Sequence, residues 1–260
     1  MTPPLYNQTL HTEDQREQLD VVLVSPRNPL NIGAVARAMA NFGFSRLAVV
    51  APFEAHWREA RSAVGAPELL EAAAETRTLA EAVAGCTLVA GTGTLTYRKP
   101  EQRVVRLPEF ALLVQGEVGR GGRVGLVFGP EKHGLTREDL SHCHMLVEIP
   151  TDERQPSMNL GQAVAVCLYE LATLAFVTEQ DAVELDSQSK DSGLAADSGN
   201  LELLAGVVEK AMEAASYSPA LMREANRHDL RLMLRRLAPT KRDARRIMGL
   251  FRRILWRLEH

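Results

Sequence analysis

The chain has 260 residues, 45% of them hydrophobic and 24% charged, with a formal net charge of −3. That is room for one large α/β domain, or for a medium domain plus a small one, with a sizeable core. No apolar run reaches the roughly 18 residues of a membrane helix, and the polar start bearing Glu13, Asp14 and Glu17 lacks the basic and apolar parts of a secretory signal, so a soluble cytoplasmic protein is expected.

Asp20 to Val24 (DVVLV) is a short apolar run ending in Ser-Pro-Arg-Asn-Pro. Asn31 is expected to cap the helix that follows, whose Gly33, Ala34, Ala36, Ala38 and Ala40 permit close packing. Arg46 to Val50, Thr87 to Ala90, Arg123 to Phe128 and Met145 to Ile149 repeat the strand pattern, with helices expected over Glu54 to Ala74, Leu79 to Ala84 and Ala163 to Val177. Continuous apolar strands separated by helices predict an α/β fold, a parallel sheet with helices on both faces. Asp181 to Asn200 is rich in Asp, Ser and Gly, buries too little to offset its ordering entropy, and reads as a linker.

The near-neutral total charge conceals a division. Acids dominate from Thr178 to Glu213, whereas twelve Lys and Arg face four acids from Ser218 to His260. Ile247, Leu250, Phe251, Ile254, Leu255 and Leu258 recur at helical i, i+3, i+4 spacing, so the tail reads as a small helical bundle, basic outside and suited to a polyanion. Solvated surface explains the same arginines without a partner.

Three strand-end loops could hold a ligand, as open α/β sheets do at the carboxyl ends of their strands. In the first, Asn28 to Arg37 leading to Asn41-Phe42-Gly43, Asn31 and Arg37 lie nearly two turns apart and could face one cleft. A capped helix with a surface arginine is the plainer alternative. The second, Gly129-Pro-Glu131-Lys-His-Gly134-Leu135, allows backbone amides to approach a ligand, or is an ordinary βα turn. In the third, Ile149 to Leu160, Ser157 or Asn159 can cap the next helix, and the same small polar groups could hold an adenosyl moiety.

Other chemistries fail on spacing. Gly91-Thr-Gly93-Thr94 lacks the third glycine of a dinucleotide fingerprint, and no P-loop occurs. His142-Cys143-His144 has no third ligand nearby, and Ser157 sits in no nucleophile elbow. Cys86, Cys143 and Cys167 are far apart, odd in number and without C-x-x-C spacing, as reduced packing thiols would be.

Taken in order, the three loops resemble the motifs of the SpoU branch of the SPOUT RNA methyltransferases. The first pattern is Asn31, Gly33, Arg37, Phe42, Gly43; the second runs Phe128 to Leu135; the third is Ile149, Pro150, Ser157, Asn159, Leu160 with Tyr169 and Glu170. Met158 stands where leucine is usual, and Asp152 to Gln155 is unusually charged for that loop.

The resemblance implies a deep trefoil knot near the end of a domain spanning 1–178, an acidic linker 179–200 and a basic helical extension 201–260. It implies S-adenosyl-L-methionine held by Thr92, Gly93, Thr94, Gly129, Ile149, Ser157, Met158, Asn159 and Leu160, with no metal. It further implies a homodimer whose catalytic groups are Arg37, Asn31, Glu131, Ser157 and Asn159, with Arg37 reaching across the interface. The expected reaction is 2′-O-methylation of a cytidine or uridine ribose in tRNA, at position 32 of the anticodon loop. Arg27, Arg235, Arg236, Lys241, Arg242, Arg245 and Arg246 are the expected RNA contacts. A ribosomal RNA methyltransferase of the same branch and a non-catalytic RNA-binding module are the competing accounts. Chemistry limits one role independently: a free guanidinium, pKa about 12 or more, is a poor base, so Arg37 fits stabilisation of a developing oxyanion or orientation of a phosphate better than proton removal.

Overall fold

Every residue of β1 (Leu19–Val24) is buried, with Leu19, Val21 and Leu23 in one apolar cluster and Val22 and Val24 in another. Alternate residues therefore face opposite layers, and each fully buried Val or Leu contributes about 2 kcal/mol. The computed structural model describes residues 13–60, 62–93, 100–173 and 194–260. Among them β1, β2 (Arg46–Val50), β3 (Ala74–Thr76), β4 (Leu88–Thr92), β5 (Arg103–Arg106), β6 (Val124–Phe128) and β7 (Met145–Glu148) form one sheet, ordered β3-β2-β1-β6-β4-β7-β5, with every pairing parallel. The first cluster lies under α2 (Pro29–Phe42), α5 (Leu107–Gly119) and α7 (Leu160–Thr173). The second lies under α4 (Leu79–Ala82), joined by Leu140 of α6 (Arg137–Ser141). A short α1 (Glu13–Arg16) precedes the sheet and α3 (Pro67–Ala72) leads into β3.

The expected Asn31 cap is corrected. Asn28 caps α2, its side chain accepting from the Leu30 amide at 3.0 Å, and Pro29 takes the first helical position, where its missing N–H costs nothing. Asn31 lies one turn inside, with its side chain free for other work. The small residues do permit close approach: a Cβ at Gly161 of α7 would stand 2.8 Å from Ala34 Cβ of α2. The helix expected over Glu54 to Ala74 is also corrected. It is only a 3-10 turn (Trp57–Glu59) and α3, because Pro67 restarts the helix, and Gly65 at φ 79° interrupts before it. Sequence reading passed over β5 and α5. The former is an edge strand with one buried residue in four, and the latter carries its own signal in buried Phe110, Ala111, Val114 and Val118 after Pro108.

The C-terminal helices are α8 (Ser198–Ala214), α9 (Arg223–Leu237) and α10 (Lys241–Glu259), packed around Leu201, Leu204, Leu230, Leu234 and Met248. Residues 194–200 of the expected linker belong to the helical extension, since Ala195 bridges Thr240 and Asp197 caps α8. Main-chain amides of Ser198 and Gly199 donate to Cys86 and Ala84 carbonyls at 2.8 and 2.9 Å, seating α8 on the α/β layer. The acid-then-basic asymmetry is partly an internal zipper. Glu213, Glu209 and Glu202 on α8 pair with Arg223, Arg227 and Arg231 on α9, and Glu202 also holds Arg235.

Candidate active site

The loops after β1, β6, β4 and β7 leave neighbouring strands at their carboxyl ends, so four separate chain segments meet above one stretch of sheet. The last three enclose a cleft of about 350 Å³ lined by Thr92, Gly93, Phe128, Gly129, Ile149 and Met158 among others. Leu160 and Ala163 at the start of α7 close its floor. Gly129 is required by backbone contact: a Cβ there would lie 2.3 Å from the Gly134 carbonyl carbon and the Leu135 nitrogen. The second loop thus doubles back on itself, with Gly134 at φ 63°, bringing main-chain groups to the cleft wall.

At one end of the cleft a polar chain joins all three motifs. The Glu131 carboxylate accepts from Asn31 Nδ2 at 2.8 Å and from the Arg27 and Asn28 amides at 3.2 and 3.3 Å. Asn31 Oδ1 in turn accepts from Asn159 Nδ2 at 3.0 Å, and Asn159 Oδ1 caps α7 by accepting from the Gly161 amide at 2.9 Å. Partial burial opposes ionisation of Glu131, yet the Asn31 and main-chain donors outweigh it and hold the carboxyl below its ordinary value. Glu131 is therefore anionic at neutral pH, an acceptor that fixes the Asn31 amide, which fixes Asn159.

Of the residues expected to hold a cofactor, Thr92, Gly93, Gly129, Ile149, Ser157, Met158 and Leu160 line the cleft, as does Glu131. Thr92 is buried and donates its hydroxyl to the Val127 carbonyl, which tethers β4 to β6. Thr94 lies outside the described residues. Asn31 and Asn159 stand behind Glu131 and do not line the cleft. Arg37 is exposed on α2, outside the cleft lining. The sequence reading missed Glu148, Thr151 and Lys132 as lining residues; all three sit within or beside the quoted motifs, where the strand ends alone would have flagged them.

The expected RNA contacts divide. Arg236, Lys241, Arg242, Arg245 and Arg246 are exposed, and none forms an ion pair among the described residues. Arg235 is different. Its side chain is only 2% exposed and is bound to Glu202 at 2.9 Å, so it serves the interior rather than an RNA surface. Arg27 is exposed at the cleft rim, its guanidinium 5.5 Å from the centre of the Phe53 ring. Among the described residues no group of His, Cys, Asp and Glu could hold a metal ion, and no helix is long and apolar enough to cross a membrane. His144, buried and receiving the Val89 amide on Nδ1, has its pKa depressed to about 3 chiefly by burial, as a structural neutral imidazole.

A parallel sheet with a mixed-polarity cleft at the carboxyl ends of its central strands defines an α/β protein with room for a small organic ligand there. The profile of the SpoU rRNA Methylase family matches residues 18–169, more than half of the chain, and the chain belongs to that family. It is 40% identical over 156 residues to the tRNA (cytidine/uridine/adenosine-2′-O-)-methyltransferase TrmJ of Pseudomonas aeruginosa, a match spanning 60% of this chain and 60% of that protein. It is 31% identical over 248 residues to the tRNA (cytidine/uridine-2′-O-)-methyltransferase TrmJ of Escherichia coli K12, covering 94% of this chain and 96% of that one. The crystal structure of TrmJ from Z. mobilis superposes with a TM-score of 0.76 at 27% identity, over 90% of this chain and 98% of that chain.

Proposed function

We propose that this chain is an S-adenosylmethionine-dependent 2′-O-methyltransferase of tRNA, acting on a cytidine or uridine ribose at position 32 of the anticodon loop. The observation that carries the reading is the Glu131–Asn31–Asn159 chain, which binds three motif loops into one wall of the cleft. The near full-length match to the Escherichia coli tRNA methyltransferase supports the substrate class. The cleft suits the cofactor chemically: Phe128, Ile149, Met158 and Leu160 offer apolar walls for adenosine and methylene groups, and the glycine loops offer main-chain donors and acceptors. Thr92, Gly93, Gly129, Ile149, Ser157, Met158 and Leu160, which line the cleft, with Thr94, are the proposed holding set, and Asn159 positions them from behind.

When bound, the cofactor supplies a methyl group on a positively charged sulfur. Held by the cleft residues, it would serve as the methyl donor to a ribose hydroxyl, with the neutral thioether as its leaving group. The protein's part is positioning and charge. Glu131 and Asn31 set the loops, Asn159 sets α7, and Ser157 lines the cleft. Arg37 stabilises the developing oxyanion or orients a neighbouring phosphate.

Because Arg37 lies outside its own cleft, we assign it to the cleft of a second copy, in a homodimer. Exposed Leu30, Val166 and Tyr169 on the α2 and α7 side support that assembly. Sheet order supports a knotted path: β6 lies between β1 and β4, and β7 between β4 and β5, so later strands enter between earlier ones. We propose a catalytic domain 1–178 joined through an acidic linker to the helical extension, whose exposed Arg236, Lys241, Arg242, Arg245 and Arg246, with Arg27 at the cleft, contact RNA phosphates. A cytoplasmic location follows from the tRNA substrate.

Incubation with methyl-labelled S-adenosylmethionine and an unmodified tRNA transcript, followed by digestion to nucleosides, tests the reading. It predicts a labelled 2′-O-methylcytidine or 2′-O-methyluridine. Label confined to ribosomal RNA would replace the substrate, and cofactor binding without label in any RNA would replace the enzyme by a binding module.

A further inference from the structure

Beside the cleft stands an exposed aromatic side chain that the methyl-transfer reading does not use. Phe53 is 70% exposed, an expensive position for a large apolar ring in water. The chain presents it deliberately. Its amide donates to the Pro26 carbonyl at 3.2 Å, fixing the turn after β2 to the turn after β1. Both turns begin with non-glycine residues in the left-handed region, Ser25 at φ 44° and Ala51 at φ 42°, a strained arrangement that clusters at functional sites. The Arg27 guanidinium lies over the ring, and the Arg27 amide is bonded to Glu131, which lines the cleft. One residue thus links the exposed ring to the proposed reacting centre.

From this juxtaposition of Phe53 and Arg27 at the rim we infer a stacking platform for an unpaired nucleobase next to the target nucleotide. The inference rests on the reading of the cleft as an RNA methyl-transfer site. Single-stranded RNA is gripped by stacking splayed bases on aromatic rings and guanidinium planes while the phosphates meet positive charge, and an Arg–Phe pair supplies all three. A loop nucleotide whose ribose enters the cleft must leave its stack, and its neighbour then needs a new surface. Arg27 supplies the charge complement to the adjacent phosphate and Phe53 the ring.

The test is steady-state methylation by the full chain, comparing wild type with Phe53→Ala and Phe53→Tyr on an anticodon stem-loop RNA and on versions with an abasic site at either neighbour of the target. The expected result is a rise in KM for RNA of about tenfold for Phe53→Ala, with kcat and cofactor affinity unchanged, and near wild-type behaviour for Phe53→Tyr. One abasic position should raise KM for wild type and add nothing in Phe53→Ala. An unchanged KM in Phe53→Ala, or additive effects of the variant and every abasic site, overturns the platform while leaving the methyltransferase reading standing. Dissociation of a wild-type dimer by Phe53→Ala, read by size-exclusion chromatography, overturns it in favour of a subunit contact. A wild-type protein that methylates no RNA overturns the underlying reading instead.

Discussion

Glu202 ties the helical extension to itself and to the α/β domain, so Glu202→Gln should loosen both. Its carboxylate bonds Arg235 at 2.9 Å and Arg231 at 3.1 Å, and stands 3.5 Å from His142 Nδ1 on the C-terminal cap of α6. Arg235 is almost wholly buried, so the variant leaves a cation with no counter-charge in the interior. Burial disfavours the Glu202 anion, but His142 and Arg235 outweigh it and pull its pKa from 4.5 to about 2. At about 1.4 kcal/mol per pKa unit that shift corresponds to at most about 3.5 kcal/mol, and screening at the carboxylate's solvent-facing edge reduces it to about 2 kcal/mol. The folded-state pKa is depressed, so this stabilisation is complete above about pH 4.5 and fades as pH falls toward 2.

Urea denaturation followed by helical circular dichroism, at pH 7 and again between pH 4 and pH 3, reads it directly. The variant should lose about 2 kcal/mol at pH 7, and the gap to wild type should narrow with acid, because the unfolded wild-type chain takes up a proton on Glu202 below about pH 4.5 while the native carboxylate is still ionised. The paired replacement Glu202→Leu with Arg235→Met should recover much of the loss, since removing both charges removes the orphan. A loss under about 0.5 kcal/mol at pH 7, or a gap indifferent to pH, would refute the argument that this cluster anchors the extension.

Three further outcomes follow from the site. Gly129→Ala, whose Cβ would meet backbone atoms at 2.3 Å, should displace the second loop and weaken S-adenosylmethionine binding by tenfold or more in calorimetry while the helical spectrum persists. Arg37→Ala should abolish turnover with cofactor affinity nearly unchanged, and loss of cofactor binding would contradict its assignment to the ribose rather than the cofactor. Replacing Lys241, Arg242, Arg245 and Arg246 by Ala should weaken tRNA binding across sequences and flatten the plot of log affinity against log salt by about one unit per lost phosphate contact, whereas Arg235→Ala should lower stability first.

The strands were legible because a parallel sheet buried on both faces needs uninterrupted apolar runs, and Arg46–Val50 was read with its observed bounds. Elements escaped where that signal is diluted: β5 is an edge strand of Arg103, Val104, Val105 and Arg106, and β3 has only three residues. The stretch before α3 carried helical composition, yet one glycine at positive φ and one proline decided otherwise. In the site, the motif order showed which loops converge. It did not show that Asn28 takes the capping role and releases Asn31 to bridge Glu131 and Asn159, because two asparagines three apart look equally fit to cap. The basic tail misled for a related reason. Charge counts cannot tell an arginine that faces solvent from Arg235, which answers a glutamate 33 residues earlier in the chain.

The central claim is that a ribose 2′-hydroxyl is the methyl acceptor, and one substrate change isolates it. The protein would be given methyl-labelled S-adenosylmethionine with two tRNA transcripts that differ only in a 2′-deoxy cytidine at the target position. The account predicts label in the ribose-containing tRNA and none in its deoxy twin, with equal binding of both. Equal labelling of the two would place the methyl group on a base and contradict the account.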